Sequence, residues 1–291
     1  MQVYAITDAG RQRPENQDAV YLGPAGKYPT VLMVADGMGG YAGGSLASRR
    51  TIEYVLEALD APTEAEDPLR AAVEFTNLRI LEIAHNVPAY RNMGSTLTLA
   101  AVSGDGVEVA QVGDSRAYLL HNGTLRQITT DHSYVQFLVD RGRMTREEAR
   151  HNNYRNRINR ALGMQGLQVD RFRVDFLPGD ILLVCSDGLS MYFSDKELEC
   201  CLARPENAEQ KAKSLLQLTL ERGGSDNVSI ALAMREEADA HAEFGKGMDW
   251  RALPHSAVGG RGRHELYFFG GGRQAGWALC DEDAEARAFH G

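Results

Sequence analysis

Short apolar runs divide the beginning of the chain into strand-length segments. Residues 3–7 and 19–22 are apolar and aromatic, and residues 30–35 form a continuous apolar run that stops at Asp36-Gly37. Runs of this length favour strands, and a continuous run favours a strand buried on both faces. We therefore predict three strands, the third of which ends in a turn at the Asp-Gly pair.

Apolar positions at helical spacing follow this third strand. Over residues 45–59 they recur with a period close to that of an α-helix, which predicts a helix with one buried face. Pro62 ends that pattern, and a second helix is predicted over residues 63–86, before Val87-Pro88. The remaining helical predictions are a strongly charged segment over residues 132–163 and two short helices over residues 194–202 and 207–222.

Three further runs with turn residues around them predict antiparallel strands, over residues 96–102, 107–112 and 117–120. Asp105-Gly106 lies between the first two runs and Asn122-Gly123 follows the third. Such pairs supply the positive φ angles of tight hairpins, so we interpret the three strands as a meander. The last two strands are predicted over residues 181–186, which stop at Asp187-Gly188, and over residues 228–234.

The character of the sequence changes after residue 234. Residues 235–291 contain a charged stretch and then dense glycines, without a sustained period of two or 3.6 residues. We predict one folded domain over residues 1–234, followed by a Gly-rich linker and a loosely ordered tail over residues 235–291.

Composition narrows the classes of function. The 291-residue chain has 31 basic and 40 acidic residues, a formal charge of −9. This balance argues against an extended surface for nucleic acid or anionic membrane. Neither a signal peptide nor an apolar run of membrane-spanning length is recognisable. Four scattered cysteines suggest no disulfide framework or zinc knuckle, so we expect a cytoplasmic protein.

Carboxylates recur where strands are predicted to begin or end. Asp36 and Asp187 each end an apolar run and precede glycine, whereas Asp18 and Asp226 each lie just before a predicted strand. Each one alone is explained as an ordinary turn residue. If they meet in one cleft, their mutual repulsion favours a hard divalent cation, and oxygen ligands favour Mg²⁺ or Mn²⁺ over zinc.

Eight segments, in order along residues 1–234, resemble those of the metal-dependent PP2C-type (PPM) protein serine/threonine phosphatases. They are TDAGRQRPENQD (7–18), VADGMGG (34–40), MGSTLTLAAV (93–102), VGDSRAYLL (112–120), TTDHSYVQFLVDRG (129–142), RNRINRALG (155–163), GDILLVCSDGL (179–189) and GGSDNVSIALA (223–233). The resemblance implies an α+β fold, a four-layer αββα sandwich of two mostly antiparallel sheets with metals at one end. It also implies dephosphorylation of phosphoserine and phosphothreonine in proteins.

The resemblance also implies a role for each carboxylate. Asp36 resembles the ligand that bridges two metal ions, and the carbonyl of Gly37 completes the second ion's site. Asp187 and Asp226 resemble ligands of the first ion. Asp114 resembles the ligand of a third, weaker ion in bacterial members, with a plain turn residue as the open alternative. The implied cofactors are two Mn²⁺ or Mg²⁺ ions and a third at Asp114.

Two other residues match the family's catalytic groups. Asp18 resembles the acidic residue that supports metal-bound waters. Arg13 resembles the arginine that grips the substrate phosphate, a role suited to a guanidinium that donates two parallel hydrogen bonds. Outside this motif, Arg13 would be interpreted as a solvated loop residue.

Two departures from the family pattern affect these expectations. Many relatives have Glu-Asp where this chain has Gln17-Asp18, so we expect a weaker second metal site. Eukaryotic relatives have a histidine at the position of Met38, and methionine cannot donate a proton. The sequence DGMGG is typical of bacterial members, which indicates a feature of that branch.

The ions suggest the mechanism. Metal ions lower the pKa of bound water toward roughly 7 and neutralise charge on phosphoryl oxygens. The hypothesis is that a water bridging two ions attacks phosphorus directly, in opposition to a Ser/Thr kinase acting on the same proteins. Two alternatives stay open: a non-catalytic binder of phosphoproteins, and a phosphatase of an anti-sigma pathway with one dedicated partner.

The predicted helical segment falls within a region that resembles the family's flap, residues 131–163, which begins at His132 and Ser133. Three arginines in it could reach a phosphopeptide, although a solvated helical face explains most of them. They are Arg155, Arg157 and Arg160. We expect substrate choice to be set in this flap.

Overall fold

The computed structural model describes residues 1–236, apart from the side chains of residues 41 and 42. All but the first two residues of the predicted linker and tail lie outside the described residues. The described part forms eleven strands and seven α-helices. The strands are β1 (Gln2–Asp8), β2 (Asp18–Ala25), β3 (Tyr28–Met38), β4 (Gly94–Ser95), β5 (Leu97–Ser103), β6 (Gly106–Val112), β7 (Arg116–His121), β8 (Thr124–Gln127), β9 (Asp170–Asp175), β10 (Ile181–Cys185) and β11 (Val228–Met234). The helices are α1 (Gly40–Asp60), α2 (Pro68–Asn86), α3 (Tyr134–Asp140), α4 (Arg146–Arg150), α5 (Asp187–Ser190), α6 (Asp195–Leu202) and α7 (Ala208–Glu221).

The strands form two antiparallel sheets. One has five strands in the order β1-β11-β10-β7-β8, and the other contains β2-β3-β5-β6-β9, with the short β4 paired to the end of β3. All the strand pairs among the described residues are antiparallel.

Alternation along the central strands creates three hydrophobic layers. In β3, Leu32 and Val34 join the core between the two sheets, whereas Val31 and Met33 pack with residues of α1 and α2. The same alternation in β10 directs every second residue toward a third core that includes α6 and α7. Period-two burial on both faces of a strand requires a covering layer on each side. The expected αββα sandwich is therefore confirmed.

The predicted meander is wrong in its third strand. β5 and β6 form the expected hairpin, but β6 then pairs with β9, and β7 lies in the other sheet between β8 and β10. The turn between β6 and β7 thus carries the chain from one sheet to the other. Strands β8 and β9 were not predicted, because β8 is only four residues long and β9 alternates with charged residues.

The flap is mostly irregular, so the helical prediction over residues 132–163 is wrong for most of its length. Only the short helices α3 and α4 form there. Backbone bonds close its base: the N–H of Tyr134 donates to the carbonyl of Arg157 (2.8 Å), and the N–H of Asn159 to that of His132 (2.8 Å). The flap therefore projects as one anchored loop. No helix within residues 1–236 is long and apolar enough to span a bilayer.

Candidate metal centre

Two of the predicted site carboxylates face each other across neighbouring strands. Asp18 begins β2 and is in register with Asp36 of β3, which continues past the Asp-Gly pair to Met38 instead of turning there. The reason is that β4 pairs with Gly37 and Met38 and extends the strand. Thr96 fixes Asp36 further: its hydroxyl accepts from the Asp36 N–H (2.9 Å), and its N–H donates to the Asp36 carbonyl (2.8 Å).

The other sheet supplies two more carboxylates. Asp187 begins α5 directly after β10, and Asp226 lies just before β11. Ser186, between β10 and Asp187, links the two sheets because its hydroxyl donates to Oδ2 of Asp18 (2.8 Å). Asp114, in the turn between β6 and β7, is only 7% exposed and borders the same cleft.

Burial and mutual repulsion raise the pKa of four of these carboxyls. Burial, the larger cause, and the neighbouring aspartates raise the pKa of Asp18 to about 7. Burial and the charge of Asp226 raise the pKa of Asp187 to about 6. For Asp36 and Asp114 the same causes raise the pKa well above its usual range. The nearby arginines do not offset all of this negative charge, and divalent cations would supply the remaining positive charge.

Within residues 1–236, no three His, Cys, Asp or Glu side chains form a ready-made cage of ligands. The donors available at the cleft are the carboxylates of Asp36, Asp114, Asp187 and Asp226 and the carbonyl of Gly37.

Gly37 lies where the chain is too crowded for a side chain. A Cβ there would lie 2.0 Å from the carbonyl oxygen of Gly44 and 2.7 Å from that of Gln17. The Gly37 N–H donates to the Gln17 carbonyl (3.1 Å), and the Gln17 amide Nε2 donates to the carbonyl of Gly40 (3.2 Å). Gln17 thus ties the end of β3 to the start of α1.

Arg13 lies in the loop between β1 and β2 and borders the same cleft. Its Nη2 donates to Oδ2 of Asp226 (2.8 Å), and this bond raises the pKa of the arginine. The side chain is 53% exposed, so other guanidinium N–H groups remain accessible to a phosphate. Six of the seven predicted site residues therefore line one cleft of about 460 Å³, which also contains Met38 in its wall. The seventh, Asp18, does not line the cleft and is buried beside Asp36.

Asn227 holds this loop in place, a role that the sequence analysis did not assign to it. Asn227 accepts the Gln17 N–H at Oδ1 (2.8 Å), and its Nδ2 donates to the carbonyls of Ala9 (2.9 Å) and Glu15 (3.0 Å). All three hydrogen bonds fix the Arg13 loop to the beginning of β11. The only available signal was a polar residue directly before a buried apolar run.

Two further positioning residues lie behind Asp114. The guanidinium of Arg116 forms three hydrogen bonds of 2.7–3.0 Å with the Asp131 carboxylate and one with the Tyr118 hydroxyl (2.8 Å). The buried His132 accepts the Gly113 N–H at Nδ1 (3.1 Å), and burial lowers its pKa. Neutral His132 thereby fixes the turn that carries Asp114.

Comparison with known proteins gives the family. Residues 9–233 match the family described as Protein phosphatase 2C. The chain belongs to the protein phosphatase 2C family. Its predicted resemblance to the bacterial branch is confirmed, and so is its predicted enzyme class, protein serine/threonine phosphatase.

Named relatives of this phosphatase are bacterial. It is 36% identical over 236 residues to the serine/threonine phosphatase stp of Listeria welshimeri, which covers 79% of this chain and 94% of the relative. It is 40% identical over 232 residues to the serine/threonine protein phosphatase PstP of Mycobacterium tuberculosis, covering 79% of this chain and 44% of the relative.

Solved structures agree with the fold and with a metal-dependent family. The Mycobacterium tuberculosis serine/threonine phosphatase PstP/Ppp is 38% identical with a TM-score of 0.74, covering 81% of this chain and 99% of that one. The catalytic domain of PstP in complex with two manganese ions is 38% identical with a TM-score of 0.70, covering 79% of this chain and 96% of that one.

Proposed function

We propose that this phosphatase hydrolyses phosphoserine and phosphothreonine in cytoplasmic proteins, using two Mn²⁺ or Mg²⁺ ions, and so opposes a Ser/Thr kinase. The observation that carries the proposal is the convergence of buried carboxylates from both sheets beside Arg13. A pure phosphoprotein binder gains nothing from burying carboxylates that repel an anionic ligand.

The ions would be held by Asp36, by Asp187 and Asp226, and by the carbonyl of Gly37, with Asp114 at a third position. When bound, they would acidify water and offset the negative charge of the phosphoryl group. The chain itself orients the substrate: Arg13 lies at the exposed side of the cleft, where its planar guanidinium can hold two phosphoryl oxygens. Met38 has no proton to give, so another donor in the cleft protonates the leaving oxygen.

The carboxylates can be tested by replacing one ligand at a time. Asp36→Asn and Asp187→Asn should each lower turnover of p-nitrophenyl phosphate in Mn²⁺ by at least about 100-fold, because each removes a charge that holds an ion. Asp175→Asn, on the exposed end of β9, is the matched control and should keep full turnover. Wild-type turnover in either site variant, with folding verified by circular dichroism, would contradict the proposed site.

Substrate class needs separate measurements. A phosphothreonine peptide should be dephosphorylated in Mn²⁺ and a phosphotyrosine peptide much more slowly, and EDTA should abolish both reactions. Phosphopeptide binding without turnover would favour the alternative of a non-catalytic binder. A pull-down that recovers a single phosphoprotein substrate would favour a phosphatase with one dedicated partner.

A further inference from the structure

A second cavity, of about 600 Å³, adjoins the metal centre. It lies between the flap helices α3 and α4 on one side and β8 and the start of α6 on the other. Asp114, Asn156 and Asp187 line both this cavity and the metal cleft. A peptide whose phosphorylated residue occupies the cleft can therefore place a neighbouring side chain in the second cavity.

Arginines without acidic partners line this second cavity. Arg126 comes from β8, Arg146 and Arg150 from α4, and Arg155 from the flap beyond it. Within residues 1–236, none of the four forms a salt bridge. Arg146 and Arg150 are four positions apart, so they lie on the same face of α4.

Six acidic residues also line the cavity, but within residues 1–236 none of them forms a salt bridge with these four arginines. Asp140 accepts from the Gln136 amide (2.7 Å), Glu147 contacts His151 (3.1 Å), and Asp195 lies at the N-terminus of α6, where a carboxylate is already favoured. Asp114 and Asp187 belong to the metal centre, and Asp131 is bonded to Arg116. The guanidinium N–H groups of the four arginines, on the flap and on β8, are thus not held by a carboxylate of the described residues.

We propose that this cavity is an anion subsite that selects phosphopeptides with a second acidic group, a phosphate or a carboxylate, two or three residues from the phosphorylated residue. The inference rests on the proposed function. An extended peptide advances about 3.3 Å per residue, so a group two or three residues away lies about 7–10 Å from the phosphorylated residue, and the two cavities adjoin through Asp114, Asn156 and Asp187. Arginine recognises phosphate and carboxylate alike through paired N–H donors.

The test compares phosphothreonine peptides that differ only beside the phosphothreonine. At each flanking position in turn, four peptides are compared. They carry alanine, glutamate, a second phosphothreonine or lysine at that position. For the wild-type enzyme in Mn²⁺, we expect kcat/KM for a glutamate or phosphothreonine peptide to exceed that for the alanine peptide about tenfold at one position, mainly through KM. Comparison of the glutamate peptide with the phosphothreonine peptide shows whether the subsite prefers a carboxylate or a phosphate.

The double variant Arg146→Gln/Arg150→Gln should lose most of this preference while keeping wild-type turnover of p-nitrophenyl phosphate, which is too small to reach the subsite. Arg143→Gln is the matched control, since Arg143 is a flap arginine outside the cavity and should leave the preference intact. If the double variant fails to fold, Arg126→Gln on β8 tests the opposite wall.

Equal kcat/KM for acidic and alanine peptides in the wild-type enzyme would overturn the subsite, and so would an unchanged preference in the folded arginine variants. Absence of Mn²⁺-dependent turnover of p-nitrophenyl phosphate by the wild-type enzyme would instead count against the proposed function. The two failures are therefore distinguishable.

Discussion

The side-chain amide of Gln17 changes the interpretation of the expected second metal site. From sequence, Gln17 implied only a lost negative charge. In the structure its Nε2 donates to the carbonyl of Gly40, a bond that a carboxylate could not donate, and its backbone holds Gly37. Gln17 is thus a positioning residue for the carbonyl expected to bind the second ion.

Replacing this amide should weaken metal binding. Gln17→Ala removes the bond to Gly40 and loosens the turn at Gly37, so we expect the affinity for the weaker of two Mn²⁺ ions to fall about tenfold, measured by isothermal titration calorimetry. Gln136→Ala, which removes a half-buried amide on α3, should leave both affinities unchanged. Gln17→Glu separates the two causes: tighter binding than in the wild type would show that charge outweighs positioning.

Sequence reasoning could find the residues whose chemistry is unusual, and it missed those that act through geometry. Aspartates beside glycine at strand ends pointed to a site, and the family resemblance joined them. Asn227 and His132 carry no such signal, because their role depends on which backbone groups lie within 3.1 Å after folding. Spacing along the chain does not contain those distances.

Helices and strands were predictable where the apolar residues followed a single clear spacing. The last strand coincides with its predicted bounds, Val228–Met234, and α7 (Ala208–Glu221) lies within one residue of its predicted range at each end. The helical prediction for the flap was wrong, because charged residues with moderate helix propensity do not form long helices without an apolar face to bury. The strand β7 was placed in the wrong sheet because a turn sequence does not specify which partner a strand pairs with.

A buried lysine makes the contact between α6 and α7 testable. Lys211 of α7 is 2% exposed, and its Nζ donates to the carbonyls of Leu202 (2.7 Å), the last residue of α6, and of Arg204, just beyond it. Lys211→Met keeps the length of the side chain but leaves these carbonyls without their donor. We expect the free energy of unfolding to fall by about 2 kcal/mol in urea denaturation.

Lys213, two residues further along α7, is the control for this change. It is exposed and pairs with Glu209 (2.7 Å) on the same helix, so Lys213→Met should alter stability by less than about 0.5 kcal/mol. Turnover of p-nitrophenyl phosphate should be normal in both variants, because the α6–α7 layer lies on the outer face of its sheet. Equal stability of the two variants would contradict the role assigned to Lys211.

At the scale of the whole molecule, the candidate metal centre brings carboxylates from the two sheets close together. Asp18 and Asp36 belong to the six-stranded sheet, and Asp187 and Asp226 adjoin strands of the five-stranded one. Without cations, the carboxylates of one sheet repel those of the other. Metal binding should therefore stabilise the whole fold and not the site alone.

This coupling predicts how stability depends on pH. In the metal-free protein the pKa of Asp18 is about 7 and that of Asp187 about 6, whereas unfolded aspartate has a pKa near 3.9. The folded state therefore binds more protons, so its stabilisation is complete below about pH 4 and is lost as pH rises through 6 and 7. In EDTA, we expect the Tm to fall by about 5 °C or more between pH 5.5 and pH 8.

Saturating Mn²⁺ should raise the Tm more at pH 8 than at pH 5.5, because ions and protons compete for the same oxygens. The variant Asp18→Asn/Asp187→Asn should flatten the curve of Tm against pH in EDTA. If this variant keeps the wild-type slope, the pH dependence arises from other groups.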